Sequence, residues 1–197
     1  MTALLVVISG PGGVGKDTLI GMLRECDPRL TYSVSYTTRP RRDYEVEGEH
    51  YSFVDEPAFE RLVAEGELLE HARVNGHLYG TSAGRVAEAL DRGRDVILKI
   101  EVQGAEQVRE RRPDAVSVFI SPPSMEELLR RRARRGSEAP EVMEARQRLA
   151  ELEMGFAPKY DHIVVNDDAQ RAVGEILAIL ERERGRRGKR DEPARAR

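Results

Sequence analysis

The chain has 197 residues, a formal net charge of -3, 34% charged side chains and one cysteine, Cys26. That length suits one domain, or one core carrying small inserts, and the charge gives no global reason to expect a nucleic-acid partner. A lone cysteine excludes a disulfide framework and a cysteine metal cluster, no apolar run is long enough to span a bilayer, and no secretory leader pattern opens the chain. A soluble protein of the reducing cytoplasm is expected, with Cys26 a small buried residue and no membrane partner.

Taken in order, Leu4 to Ile8 is an apolar, β-branched run of the kind that forms a strand buried on both faces. Gly10, Pro11, Gly12, Gly13, Val14, Gly15 and Lys16 follow, with the spacing G-x-x-x-x-G-K, and a helix of roughly Lys16 to Glu25 comes next. Between strand and helix, such a turn points backbone N–H groups inward at phosphate oxygens, and the helix start and Lys16 add positive charge. Thr31 to Ser35 alternates like a short strand and leads into TTRPRR at Thr37 to Arg42.

From Asp43 to Gly80 the chain reads as a mixed α+β insert, with strand-like pieces at Glu49 to Val54 and His77 to Tyr79 around an amphipathic stretch, Ala58 to Glu67. Regular alternation then returns: a helix near Ser82 to Arg92, a strand Asp95 to Ile100, a helix near Gly104 to Glu110 and a strand Ala115 to Ile120. This βαβ succession implies a parallel sheet with right-handed crossovers. Ser124 caps a helix beginning near Met125 that runs into Arg130, Arg131, Arg132, Arg134 and Arg135, and a second helix covers about Pro140 to Met154. Mutual repulsion among these arginines predicts a helical hairpin that stands open until polyphosphate binds. The last strand is His162 to Val165, and Asp168 starts a final helix to about Glu183, with Asp167 and Asp168 as its caps. The remainder, almost without apolar residues, is expected to be disordered.

A phosphate loop, a second arginine-rich loop and a basic hairpin on a parallel sheet together describe phosphoryl transfer, which depends mostly on placing cations around two phosphate groups. The segments VVISGPGGVGK, YSVSYTTRPRR, EGEHYSFV, LLEHARVNGHLYGT, LKIEVQGAEQVR, VFISPPSMEELLRRR and IVVNDD closely resemble, in order, the motifs of guanylate kinases. The resemblance implies an α/β fold of the phosphate-loop nucleoside monophosphate kinase type and transfer of a phosphoryl group from ATP to GMP or dGMP, with Mg2+ as cofactor and a monomer or homodimer as the working state. It implies one domain over residues 1–183: a core of 1–33, 82–125 and 156–183, a GMP-binding insert at about 34–81, a lid at about 126–155, and a basic tail of 184–197.

Carried over position by position, the resemblance places the ATP phosphates on Gly10 to Lys16, with Asp17 and Thr18 beside them and Asn166 near the adenine. It gives Ser35, Arg39, Arg42, Tyr51 and Tyr79 the acceptor phosphate, and Glu70, Thr81 and Glu101 the guanine side. Lys16, Arg42, Arg135 and Arg146 flank the transferring group. A carboxylate suits guanine, whose N1–H and exocyclic amine are donors, and arginine's planar fork suits phosphate. Two positions depart from the family: Asp17 stands where it usually has Ser, and Lys99 where it usually has an acidic residue, one being kept two residues on as Glu101. Adjacent strands would let Asp17 and Lys99 pair, or Asp17 could ligate magnesium, with Thr18 as a fallback hydroxyl. Two other readings remain open: a kinase acting on ribose 1,5-bisphosphate, whose loop can read GKD, and a guanylate-kinase-like protein-binding module.

Overall fold

The computed structural model describes residues 3–133 and 140–191. In chain order the elements are β1 (Leu5–Ser9), α1 (Lys16–Cys26), β2 (Leu30–Tyr32), β3 (Tyr36–Thr37), β4 (Ser52–Phe53), α2 (Glu56–Ala64), β5 (Leu68–Val74), β6 (His77–Ser82) and α3 (Ala83–Asp91). They continue with β7 (Asp95–Lys99), α4 (Val102–Arg111), β8 (Val116–Ser121), α5 (Met125–Ala133), α6 (Pro140–Met154), β9 (His162–Val165) and α7 (Ala169–Asp191). The core sheet is parallel throughout, in the order β2-β7-β1-β8-β9, so the first strand lies at its centre. Period-two alternation splits β1 between two apolar layers. Leu4, Val6 and Ile8 pack with α1 and α7 residues such as Leu19, Leu23 and Ile176, whereas Leu5 and Val7 pack with Val86 of α3 and Val102, Ala105 and Val108 of α4. The carboxyl end of β1 therefore sits where neighbouring strands diverge in sequence order, the place where open α/β sheets bind ligands.

The insert is a second sheet, β4-β3-β6-β5. Its main unit is an antiparallel hairpin, β5 against β6, turned by Asn75 (φ 48°) and Gly76 (φ 84°). Two left-handed residues in a two-residue turn suit the twist of paired strands, and Asn-Gly is the usual sequence for it. Only its second strand was expected; β5 runs through Leu68, Leu69 and Glu70, a buried stretch without clear alternation. The expected strand Thr31 to Ser35 is cut short: β2 covers Leu30–Tyr32, and the chain leaves the core sheet before Tyr36 begins pairing in the insert. The insert helix starts two residues before the expected position, because Asp55 Oδ1 accepts from Ala58 N (2.8 Å) and Pro57 occupies the first turn. Cys26 is exposed at the last turn of α1, against the expectation of burial.

The tail also differs from expectation: α7 continues as helix to Asp191, and residues 192–197 lie outside the described residues. Ion pairing, which apolar periodicity does not register, explains the extension. Arg184 reaches Asp27 Oδ2 (2.8 Å), and its Nε donates to Asp95 Oδ2 (2.7 Å), while Asp95 Oδ1 accepts from Leu4 N (2.6 Å). Arg187 Nη1 donates to Ala3 O (3.0 Å). Burial alone would raise the Asp27 pKa, but hydrogen bonds from Arg29 and Arg184 hold it down to about 2. Among the described residues no helix is long and apolar enough to cross a membrane.

Asp27 and Asp95 are only 5% and 4% exposed, so Arg184→Ala leaves two buried carboxylates short of a cation. The expected loss is about 3 kcal/mol, or a melting midpoint lower by roughly 6–12 °C. The wild-type advantage is present above pH 3.8, the unperturbed Asp27 value, and disappears as pH falls through about 2. An unchanged midpoint at neutral pH would contradict this role.

Candidate active site

The phosphate loop leaves β1 and passes over the end of β8. A side chain at Gly10 (φ 142°) would stand 2.2 Å from the Ile120 carbonyl oxygen, so only glycine lets the loop cross there. Gly15 (φ 104°) likewise leaves room for Asn166, whose Nδ2 donates to Val14 O (2.8 Å) and whose backbone N–H donates to Ser121 O (2.8 Å). Asn166 thus ties the loop to the end of β9 and also lines a cavity of about 420 Å³ with Gly13, Gly15, Thr18 and Arg131. Lys16 is buried and folds back, its Nζ donating to the carbonyls of Gly10 and Pro11, the latter at 3.4 Å.

A larger cavity, about 870 Å³, opens between α1 and the insert and brings together Arg39, Arg42, Tyr51 and Tyr79 with Asp17 and Lys99. Arg39 is held by Glu45, donating to its two oxygens at 2.7 and 3.0 Å, and donates from Nε to the Tyr79 hydroxyl (3.3 Å). Glu45 is 4% exposed, also accepts from Arg42 N (2.8 Å), and its carboxyl pKa is pulled down chiefly by Arg39. This buried acid sets the direction of the arginine loop, a role the sequence reading missed. Arg42 donates to the Tyr44 hydroxyl (2.7 Å). Ser35 is buried and is not among the residues lining this cavity; its carbonyl accepts from Ser52 N (2.9 Å).

Glu70 and Thr81 are buried and are not among the residues lining this cavity; Glu70, 4% exposed, accepts a hydrogen bond from Thr81 Oγ1 (2.6 Å). Burial pushes its carboxyl up to about 7. Gly104 makes the space: a Cβ there would meet Glu70 Oε2 at 2.2 Å. Glu101 is separate from this pair and borders a third cavity, about 510 Å³, shared with Gly12, Gly13, Arg73, Arg132, Arg146 and Glu153.

The described part of the arginine hairpin rests on the loop, contrary to the expected open arrangement. Arg132 donates from Nε to Gly12 O (2.7 Å) and from Nη1 to Arg146 O (2.9 Å). Carbonyl oxygens and the Glu127 carboxylate paired with Arg131 (2.8 Å) offset the repulsion. Glu153 is 5% exposed, and burial together with the neighbouring Glu101 raises its pKa to about 8. Five arginines in six positions do not reveal which one reaches the loop, so Arg132 was not singled out. Glu153 could have been found by spacing, three residues beyond the buried Ala150 on one helix face. Arg135 lies outside the described residues.

The two departures meet. Ile8 of β1 pairs with Lys99 of β7, and Lys99 Nζ contacts Asp17 Oδ1 at 2.5 Å. Burial disfavours the ammonium charge, but the surroundings of Tyr32, Tyr51 and Asp17 more than offset it, leaving the lysine pKa above its ordinary value.

A family model described as Guanylate kinase matches residues 2–183. The chain is 48% identical to a guanylate kinase of Alkalilimnicola ehrlichii over 94% of its own length and 92% of the relative's. It is 49% identical to one of Thermus thermophilus, covering 98% of this chain and 87% of the relative. Among solved structures, guanylate kinase from Anaplasma phagocytophilum superposes with a TM-score of 0.77 at 36% identity, covering 92% of this chain and 86% of that one. With similarity running through both the loop and the insert, the chain belongs to the guanylate kinase family.

Proposed function

We propose that the chain phosphorylates GMP to GDP at the expense of ATP, with the roles that follow. The observation that carries this reading is adjacency: the cavity of Arg39, Arg42, Tyr51 and Tyr79 opens against Asp17, the residue immediately after the phosphate-loop lysine. Loop amides and Lys16 hold the donor phosphates, and the insert's arginines and tyrosines hold the acceptor phosphate. An acceptor phosphate oxygen attacks the γ-phosphorus; its new P–O bond forms as the bond to the β–γ bridging oxygen breaks, and ADP leaves. A dianionic acceptor has no proton to lose, so positioning and charge neutralisation do the catalysis. Arg132 and Arg146 border the loop from the lid and neutralise charge on the transferring group, with Arg135 assigned alongside them from its family position.

Glu70, held by Thr81, accepts from N1–H and the exocyclic amine of guanine. This buried carboxylate favours GMP over ribose 1,5-bisphosphate, which offers no base, and the intact loop favours turnover over a protein-binding module. Asp17 and Thr18, both exposed beside the loop, are suitable hard oxygen donors for a magnesium ion held mainly by ATP. Magnesium would supply charge neutralisation between the phosphates. All the side chains named come from one chain, and the cytoplasm supplies both nucleotides.

Turnover of GMP is expected to exceed that of AMP by about 10³-fold or more in kcat/KM, because adenine leaves Glu70 unpaired. Glu70→Ala should erode that ratio to within about 10-fold. A coupled ADP-release assay over GMP, dGMP, AMP, UMP and ribose 1,5-bisphosphate measures it, and equal use of AMP and GMP would sink the assignment.

Guanine binding also needs Glu70 ionised, whereas burial raises its pKa to about 7. The KM for GMP should therefore rise as pH falls below about 7, and binding near neutral pH should release a proton. Calorimetry in buffers of different ionisation enthalpy detects that proton. No release from the wild type, or the same release from Glu70→Gln, would refute the link.

A further inference from the structure

We infer that Lys99 is a further cation of the acceptor-phosphate site, held in position by Asp17, so that the acceptor phosphate is gripped from the core sheet as well as from the insert. The inference rests on the assignment of that cavity to the acceptor phosphate. Lys99 is the last residue of β7, and its backbone is fixed by the sheet, whereas Arg39 and Arg42 lie on the insert's loop. Its side chain is only 20% exposed, with Nζ 5.9 Å from the Tyr32 ring centroid and 5.8 Å from that of Tyr51. Both tyrosines line the cavity that holds Arg39 and Arg42, and Lys99 lines it too. The stem is thus buried while the ammonium faces the space where an anion would sit.

An ammonium has three donors; Asp17 takes one and the Tyr32 hydroxyl engages another, which leaves one for an anion. Asp17 is 82% exposed, so on its own the pair gains little from holding a buried lysine there. A phosphate in the cavity would give the same ammonium a second, desolvated anion, where charge-assisted hydrogen bonds are strong. Asp17 then aims the lysine, acting as a positioning residue. A lysine at 99 gives that cavity wall a positive charge, which attracts phosphate.

The competing account is that Lys99 only neutralises Asp17. Under it, Lys99→Gln would still weaken phosphate binding, through the uncompensated carboxylate, so the single variant does not decide. The deciding comparison is Asp17→Asn against the double variant Asp17→Asn with Lys99→Gln, titrated calorimetrically with GMP and with guanosine. If Lys99 touches the phosphate, the double variant binds GMP about 10- to 100-fold more weakly than Asp17→Asn, and guanosine affinity stays within about 2-fold. Lys99→Arg should keep most of the wild-type preference for GMP. Equal GMP affinity of Asp17→Asn and the double variant would overturn the inference, as would equal losses for GMP and guanosine. A wild type that binds GMP no better than guanosine would instead overturn the acceptor-site assignment on which it rests.

Discussion

Among the described residues, four cations that border the proposed phosphate sites have oxygen partners. Lys16 is turned onto the Gly10 and Pro11 carbonyls, Arg132 onto the Gly12 carbonyl, Arg39 onto Glu45 and Lys99 onto Asp17. This constraint follows from concentrating positive charge in a partly buried place: without counter-groups the arginines and lysines would repel one another and pay full desolvation. Carbonyl dipoles are the cheaper partners, because phosphate can displace them without leaving a charge uncompensated. Carboxylates are the stronger ones and remain as guides, which is why Glu45 and Asp17 sit behind or beside the cations they orient.

The fold serves that arrangement. A central β1 carries the loop out at the point of divergence between β7 and β8, and β7 delivers Lys99 and then Glu101 to the same edge within three residues. The insert brings a second sheet whose arginine loop faces the loop helix, and the hairpin of α5 and α6 approaches from the other side. The loop and the α5–α6 hairpin border one cavity and the insert borders the other, so different elements of the fold line the two candidate phosphate sites. Under the proposed function, burial of Glu70 against Gly104 gives base recognition a low-dielectric setting, where an unpaired carboxylate is costly and discrimination is correspondingly strong.

Much of this was legible in the sequence because the informative features are local. Glycine spacing between a β-branched run and a helix identifies the loop, and the βαβ alternation gives a parallel sheet. Adjacent strands were enough to suggest that Asp17 and Lys99 meet. What escaped notice depends on contacts between distant segments. Strand β5 is hidden because its burial comes from α4 and β6 rather than from its own pattern. The continuation of α7 past Glu183 depends on Arg184 finding Asp27 and Asp95, some 157 and 89 positions away. Glu45 and Arg132 belong to charge clusters in which sequence alone does not distinguish the member that turns inward.

The central claim is that the two phosphate sites face one another across the Asp17 and Lys99 contact. Binding of adenosine and guanosine joined through their 5′ positions by five phosphates tests it most directly. Such a compound should inhibit competitively against both ATP and GMP and bind at least about 100-fold more tightly than either, since joining two sites of matched span converts the second binding step into an intramolecular one. Competition against ATP alone, or an affinity no better than that of ATP, would contradict the account.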